Sequence, residues 1–233
     1  MGRWPASEFF ITTNTWRKSF PGAHIGVLAM SGVRNPASSS ALENLKTRLE
    51  ADLRQRFEGM DRAALRAHPI LAAYEDYYKR FGKTYHVQLQ LESIVQKGKT
   101  IPSSAALVES MFMAEMNNLL LTAGHDLDTI RPPLTLDVAR GTETYTLLRG
   151  SSQTPKVGDM MISDSDGIIS TILYGPDQRT QIRPETTRSV FTVYAPEGIE
   201  PGAVEAHLKD IGLHAQLIAP EVGVELLHVY SAQ

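Results

Sequence analysis

Cysteine is absent from this sequence, which excludes disulfides, thiolate-bound zinc and a cysteine nucleophile. A reducing compartment fits that absence, and the expected setting is cytoplasmic. No apolar run approaches the roughly 20 residues that span a bilayer, so no membrane association is expected. The opening "MGRWPASEFF" carries an aromatic cluster but no long apolar segment ahead of a small-residue cleavage site. Excess positive charge is missing as well. A net charge of −3 gives no global signature of nucleic-acid binding. DNA is not an expected partner, and RNA would have to be held by a local patch. The candidate patches are "YYKRFGK" (77–83), "QKGKT" (96–100) and "DQRTQIRPETTR" (177–188). Each taken alone also reads as ordinary solvated surface.

The common chemical signatures are missing too. There is no GxGxxG, no GxxxxGK[ST], no HExxH and no GxSxG. The seven histidines, at 24, 68, 86, 125, 207, 214 and 228, show no paired metal spacing. No metal or other cofactor is expected, with a cation held by His125, Asp126 and Asp128 as the weak alternative.

What is present is a chain of 233 residues, 42% hydrophobic and 21% charged. These are ordinary globular values, and the length suffices to bury a core without metal or disulfide help. Segments 9–13 and 24–30 read as strands around the turn "SFPG". Leu42, Leu45, Leu49 and Leu53 recur at helical spacing over 41–57. Residues 68–82 read as a second helix, with Pro69 at its start and Gly82 as its stop. "HVQLQLESIVQKG" is ambiguous, since Val87, Leu89 and Leu91 alternate as in a strand while 93–97 favour helix. A long helix follows over 103–121, with Met111, Met113 and Met116 assigned to the core. Beyond "GHDLD" the pattern turns to short strands, with a hairpin at Asp166-Gly167. The end reads as helix, strand, turn, strand. The expected architecture is α+β in a single domain over 1–233, helices largely first and sheet second.

The stretch "LTAGHDLDTI" (121–130) gathers Gly124, His125, Asp126 and Asp128 where the helix is expected to end. Short acids at such places often bond nearby backbone N–H groups, which is the plainer reading of Asp128. Around it, in order, stand "SFPGAHIGVLAMSGVRN", "AAYEDYYKRFGK", "KGKTIPSSAALVESM", "GHDLDTI", "PKVGDMMISDSDGIIS" and "YGPDQRTQIRPETTRSVFTVY". Across about residues 17–195 this series resembles a free-standing B3/B4 domain, the editing module of the phenylalanyl-tRNA synthetase β subunit. Residues 196–233 would be a helix–strand extension.

The resemblance implies a β-sandwich-like pair of mixed sheets flanked by helices. It implies hydrolysis of an ester between an amino acid and the terminal ribose of tRNA, with the aminoacylated 3′ end of tRNA as partner. The family's pocket histidine falls on His125, and its acid three places later on Asp128. A glycine-bearing wall falls on 172–175, with Tyr174 and Gly175 as substrate-binding candidates. A threonine-bearing strand spans Thr186 to Val193. As a proton acceptor, His125 (ordinary pKa about 6.5) would position water, with Asp126 or Asp128 orienting its ring. His125→Ala would then slow deacylation at least roughly tenfold. Amides around Gly124 are oxyanion donors in this scheme. Lys97, Lys99, Arg179 and Arg183 are candidate phosphate contacts on tRNA. Two departures stand out. The glutamate that reads a tyrosine hydroxyl in the synthetase would fall near Val193 and is missing. The chain also reads "LYGPDQRT" where stand-alone relatives often carry Trp-Asn before Asp-Arg-Thr. A non-catalytic tRNA-binding or amino-acid-binding module is therefore the alternative.

Overall fold

The structure, a computed structural model, describes residues 6–232; the first five residues of the aromatic N-terminus lie outside them. Among the described residues the helices are α1 (Ala6–Phe9), α2 (Asn14–Ser19), α3 (Ser40–Arg56), α4 (Arg62–Arg66), α5 (Pro69–Lys79), α6 (His86–Lys97), α7 (Ala106–Asn118) and α8 (Pro201–Ile218). The strands are β1 (Phe10–Thr12), β2 (His24–Ser31), β3 (Thr122–Asp126), β4 (Leu134–Val138), β5 (Tyr145–Thr146), β6 (Ser152–Gln153), β7 (Met160–Asp164), β8 (Gly167–Thr171), β9 (Gly175–Pro176), β10 (Arg188–Ala195) and β11 (Gly223–Ser231). None of the helices is long and apolar enough to cross a membrane.

The expected helices at α3 and α5 form as their leucine and tyrosine spacing requires, burying Leu42 and Leu53, and Tyr74, Tyr77 and Tyr78. The ambiguous segment is helix α6. Its apparent alternation fails because Leu89 is 41% exposed while Val87, Leu91 and Ile94 are buried. The three methionines of α7 lie in the core.

Two sheets face one another. One runs β1-β4-β7-β8-β9, the other β11-β2-β10-β3, and β5 and β6 form a small ribbon. Among the described residues only β1–β4 pairs in parallel; the other pairings are antiparallel. The sheets meet through Tyr194, whose hydroxyl lies 2.7 Å from Ser170 Oγ, and through the stacked rings of Phe10 and Tyr230. Strand β2 is buried on both faces, which explains its unbroken apolar run. Gly26 lets α8 lie directly on it, for a Cβ there would stand 2.5 Å from Val204 Cγ1.

Short helices α2 and α4 lie outside the sequence-based expectations, and the structure also departs from them around the site and at the C-terminus. Helix α7 ends at Asn118, and Gly124, His125 and Asp126 belong to strand β3; the turn is the 3-10 segment Leu127–Thr129. The C-terminal helix runs through "GLHAQLI" to Ile218, because Ile211 and Ala215 continue the buried stripe of Val204 and Leu208. A single strand, β11, follows and pairs with β2, so the C-terminal segment forms one edge of the sheet.

Candidate functional site

Strand β3 forms the other edge of that sheet, paired only with β10. Its outward amides are closed at both ends. The Thr122 N–H donates to Glu115 Oε1 at 2.7 Å, and the Asp126 N–H donates to the Thr180 carbonyl at 2.8 Å. Successive amides of a strand alternate in direction, so the Gly124 N–H points the same way, between them. A cavity of about 240 Å³ opens there. Helix α7 supplies Val108, Met111, Phe112 and Glu115; the β8–β9 end supplies Thr171, Ile172, Gly175 and Pro176; Ile182 and Gln181 border the far side. Drug-sized sites run from roughly 300 to 1,000 Å³, so this one admits a small group and leaves a nucleotide outside. Gly124 is needed for packing, since a Cβ would lie 2.8 Å from Phe191 Cε1 and 3.0 Å from Ile182 Cδ1.

Glu115 is the charged side chain of this wall. It is 2% exposed. Burial pushes its carboxyl up to about 8, partly offset by the hydrogen bond from Thr122. Among the described residues Oε2 has no hydrogen-bond partner, and it is not sealed away from the cavity that the residue lines. The carboxyl reaches Thr122 because α7 stops sharply. Leu119 adopts φ 62°, an unusual left-handed conformation for a side chain of that size, and its N–H donates to the Glu115 carbonyl at 2.7 Å. Sequence reasoning passed over Glu115. Its signal was that an acid completes the i, i+3, i+4, i+7 stripe begun by Val108, Met111 and Phe112.

His125 does not line the cavity. It sits on the opposite parity of β3, paired with Val190 and 0% exposed. Its Nδ1 lies 2.7 Å from Thr180 Oγ1, and the Thr180 hydroxyl in turn donates to Asp177 Oδ1. That network assigns the proton to Nδ1. Nε2 is buried without a partner. Burial, with the nearby Arg179 charge adding to it, lowers the ring to about 3. In this arrangement the imidazole is buried, neutral at ordinary pH and outside the cavity lining, so the expected role of proton acceptor has no contact here that supports it. The acids do not orient the ring either. Asp126 is buried, accepts from the Asp128 N–H at 3.0 Å and from the Thr186 hydroxyl at 2.7 Å, and so shapes the turn. Asp128 is exposed and pairs with Arg188 at 3.0 Å.

The other expected residues divide. Gly124 and Gly175 line the cavity. Tyr174 stands outside it with Lys83 over its ring, Thr186 is taken up by the Asp126 turn, and Val193 is fully buried away from it. Arg179 bonds Asp164 through two hydrogen bonds of 2.8 and 3.0 Å and the Thr129 carbonyl, so its guanidinium is already engaged within the chain. Arg183 is exposed on the lip of a separate polar hollow, which shares Gln181 with the cavity. Lys97 and Lys99 are exposed at the end of α6, outside the cavity lining. A larger open hollow of about 740 Å³, with Arg54, Met60 and Gln96 in its wall, holds none of the expected site residues. Among the described residues no group of three or more His, Asp or Glu side chains is arranged to hold a metal ion.

Comparison with known families matches the B3/4 domain to residues 73–217. No curated protein matches the chain. Among solved structures, the chain is similar to an N-terminal fragment of the phenylalanyl-tRNA synthetase beta-subunit from Pyrococcus horikoshii, with a TM-score of 0.48 and 10% identity. The match covers 98% of this chain and 52% of that one, so this chain spans about half of its length.

Proposed function

The chain belongs to the B3/4 domain family, and from that premise we propose that it takes the amino acid of a mischarged tRNA into the cavity beside β3 and hydrolyses the ester in trans. The observation that carries this reading is the Gly124 amide, which strand alternation directs into a small, mostly apolar cavity. An ester is already an activated acyl group, so water and an oxyanion donor suffice without a protein nucleophile. Water would add to the carbonyl carbon, and the developing oxyanion would accept a hydrogen bond from the Gly124 N–H. The bond to the ribose oxygen then breaks. That oxygen takes up a proton relayed from the attacking water through the neighbouring ribose hydroxyl, leaving the free amino acid and the tRNA hydroxyl. The terminal nucleotide would stay at the mouth, with its phosphates toward the exposed Arg183, two residues from Gln181.

A panel of tRNAs, each charged with a non-cognate amino acid, tests the proposal. Release of at least one amino acid above the spontaneous rate is expected, and no release across the panel overturns it. The second reading, a module that binds without turnover, is favoured by one observation: His125 is sealed and neutral. Saturable binding of charged tRNA with no product would establish that reading instead.

A further inference from the structure

We infer that Glu115 is the receptor for the ligand's α-ammonium group, so that the cavity is built for a free α-aminoacyl unit and rejects an N-blocked one. The inference rests on the proposed use of the cavity and adds a chemical class to it. Three observations carry it. The first is that the Glu115 carboxyl lines a cavity whose other walls are mostly apolar. A carboxyl held there without a full set of partners is costly, and a cationic or donor ligand would remove that cost.

The second observation is that the two carboxyl oxygens are used unequally. Oε1 is fixed by the Thr122 amide at 2.7 Å, and Oε2 has no partner among the described residues. The fixed oxygen anchors the group, while the free one is left to meet a ligand.

The third is spacing. Thr122 and Gly124 are two residues apart on one strand edge, so their outward amides lie about 7 Å apart. In an α-aminoacyl group the nitrogen and the carbonyl oxygen are separated by three bonds, roughly 3 Å. Hydrogen bonds of about 2.8 Å at either end give the unit a reach longer than that spacing, and the Glu115 carboxyl is itself held at the Thr122 end of the edge. One contact places the ammonium at Glu115 Oε2, and the other places the carbonyl oxygen at the Gly124 N–H. The apolar walls, Met111, Phe112 and Ile172 among them, are then left for the ligand's side chain.

The test uses the full chain and small probes, the methyl esters of L-valine, L-methionine and L-phenylalanine, each also as its N-acetyl form. Titration calorimetry on the wild type is expected to show at least one ester binding about 10- to 100-fold more tightly than its N-acetyl form. Glu115→Gln keeps an acceptor for Thr122 and is expected to erase that preference. Equal binding of blocked and free forms by the wild type overturns the inference and leaves the deacylation proposal standing. So does a preference that survives in a folded Glu115→Gln. Binding of none of the esters also overturns it, whereas failure of the tRNA panel alone removes only the hydrolysis. The wild-type comparison decides the question even if the variant does not fold.

Discussion

The two sides of β3 treat a titratable group in opposite ways. On the side facing the other sheet, His125 is enclosed by the 177–180 turn, its Nδ1 bonded to Thr180 and its ring held neutral by burial. On the outward edge, Glu115 closes one end of the strand yet keeps an oxygen open to a cavity. Both groups are almost without exposed surface. Burial alone therefore does not mark a functional group. What separates the two is whether a space for a ligand stands beside the unpaired atom.

Several measurements break or sharpen this contrast. The largest effect is expected for Arg179→Ala, which leaves the buried Asp164 carboxylate without its countercharge, held by the Arg131 and Asp166 amides. A loss of about 3–4 kcal/mol in urea unfolding is expected, below the loss for a fully buried pair because Arg179 is a third exposed. His125→Ala should lose about 2–3 kcal/mol through the void and the unpaired Thr180. Folded His125→Ala protein should keep its deacylation rate within about threefold of wild type; a tenfold loss of the kind expected of a proton acceptor would return this histidine to the chemistry. On the open side, Gly124→Ala should lose about 1–2 kcal/mol by overpacking against Phe191 and Ile182, and ester binding should weaken with it in calorimetry.

The pH dependence sharpens the contrast further, because the two groups push stability in opposite directions. His125 has a folded value near 3 against its ordinary 6.5. The unfolded chain takes up the proton first, so its contribution is complete above pH 6.5 and is lost as pH falls toward 3. Glu115 has a folded value near 8 against 4.5. The unfolded chain ionises first, so stability from this group is complete below pH 4.5 and declines as pH rises toward 8. Glu115→Gln should therefore gain on the wild type by up to about 1.4 kcal/mol per pH unit across that window. Unfolding midpoints measured at pH 5 and pH 8 check this, and a gap that does not grow with pH contradicts it. The smallest effect is expected for Lys97→Ala and Lys99→Ala, both exposed, with stability changes within about 0.5 kcal/mol.

The fold was largely legible where periodicity spans several turns. The leucines of α3 recur at helical spacing and Leu42 and Leu53 are buried, while Pro69 and Gly82 bracket α5. Legibility failed where a short window fits two periods, as in α6, and at the C-terminus, where the segment expected to turn to strand continues as helix to Ile218 on its buried stripe. The site was less legible, for two physical reasons. Which strand residues meet a cavity depends on what packs over each one: Ala123 shares the parity of His125 and lines the cavity, while the 177–180 turn covers His125. Gly124, its neighbour, was picked out with it and does line the cavity. Glu115, in "MFMAEMNNLL", looks like the solvated residue any helix carries, and only the stripe it completes marks it as buried.

Leu119 bears on how such a cavity keeps its dimensions. Its left-handed backbone folds the chain back at once, so the acid and the glycine amide sit within one stretch of ten residues, 115–124. Movement of distant loops can widen or narrow the entrance, but the gauge between those two groups is cut into a single short length of chain and travels with it.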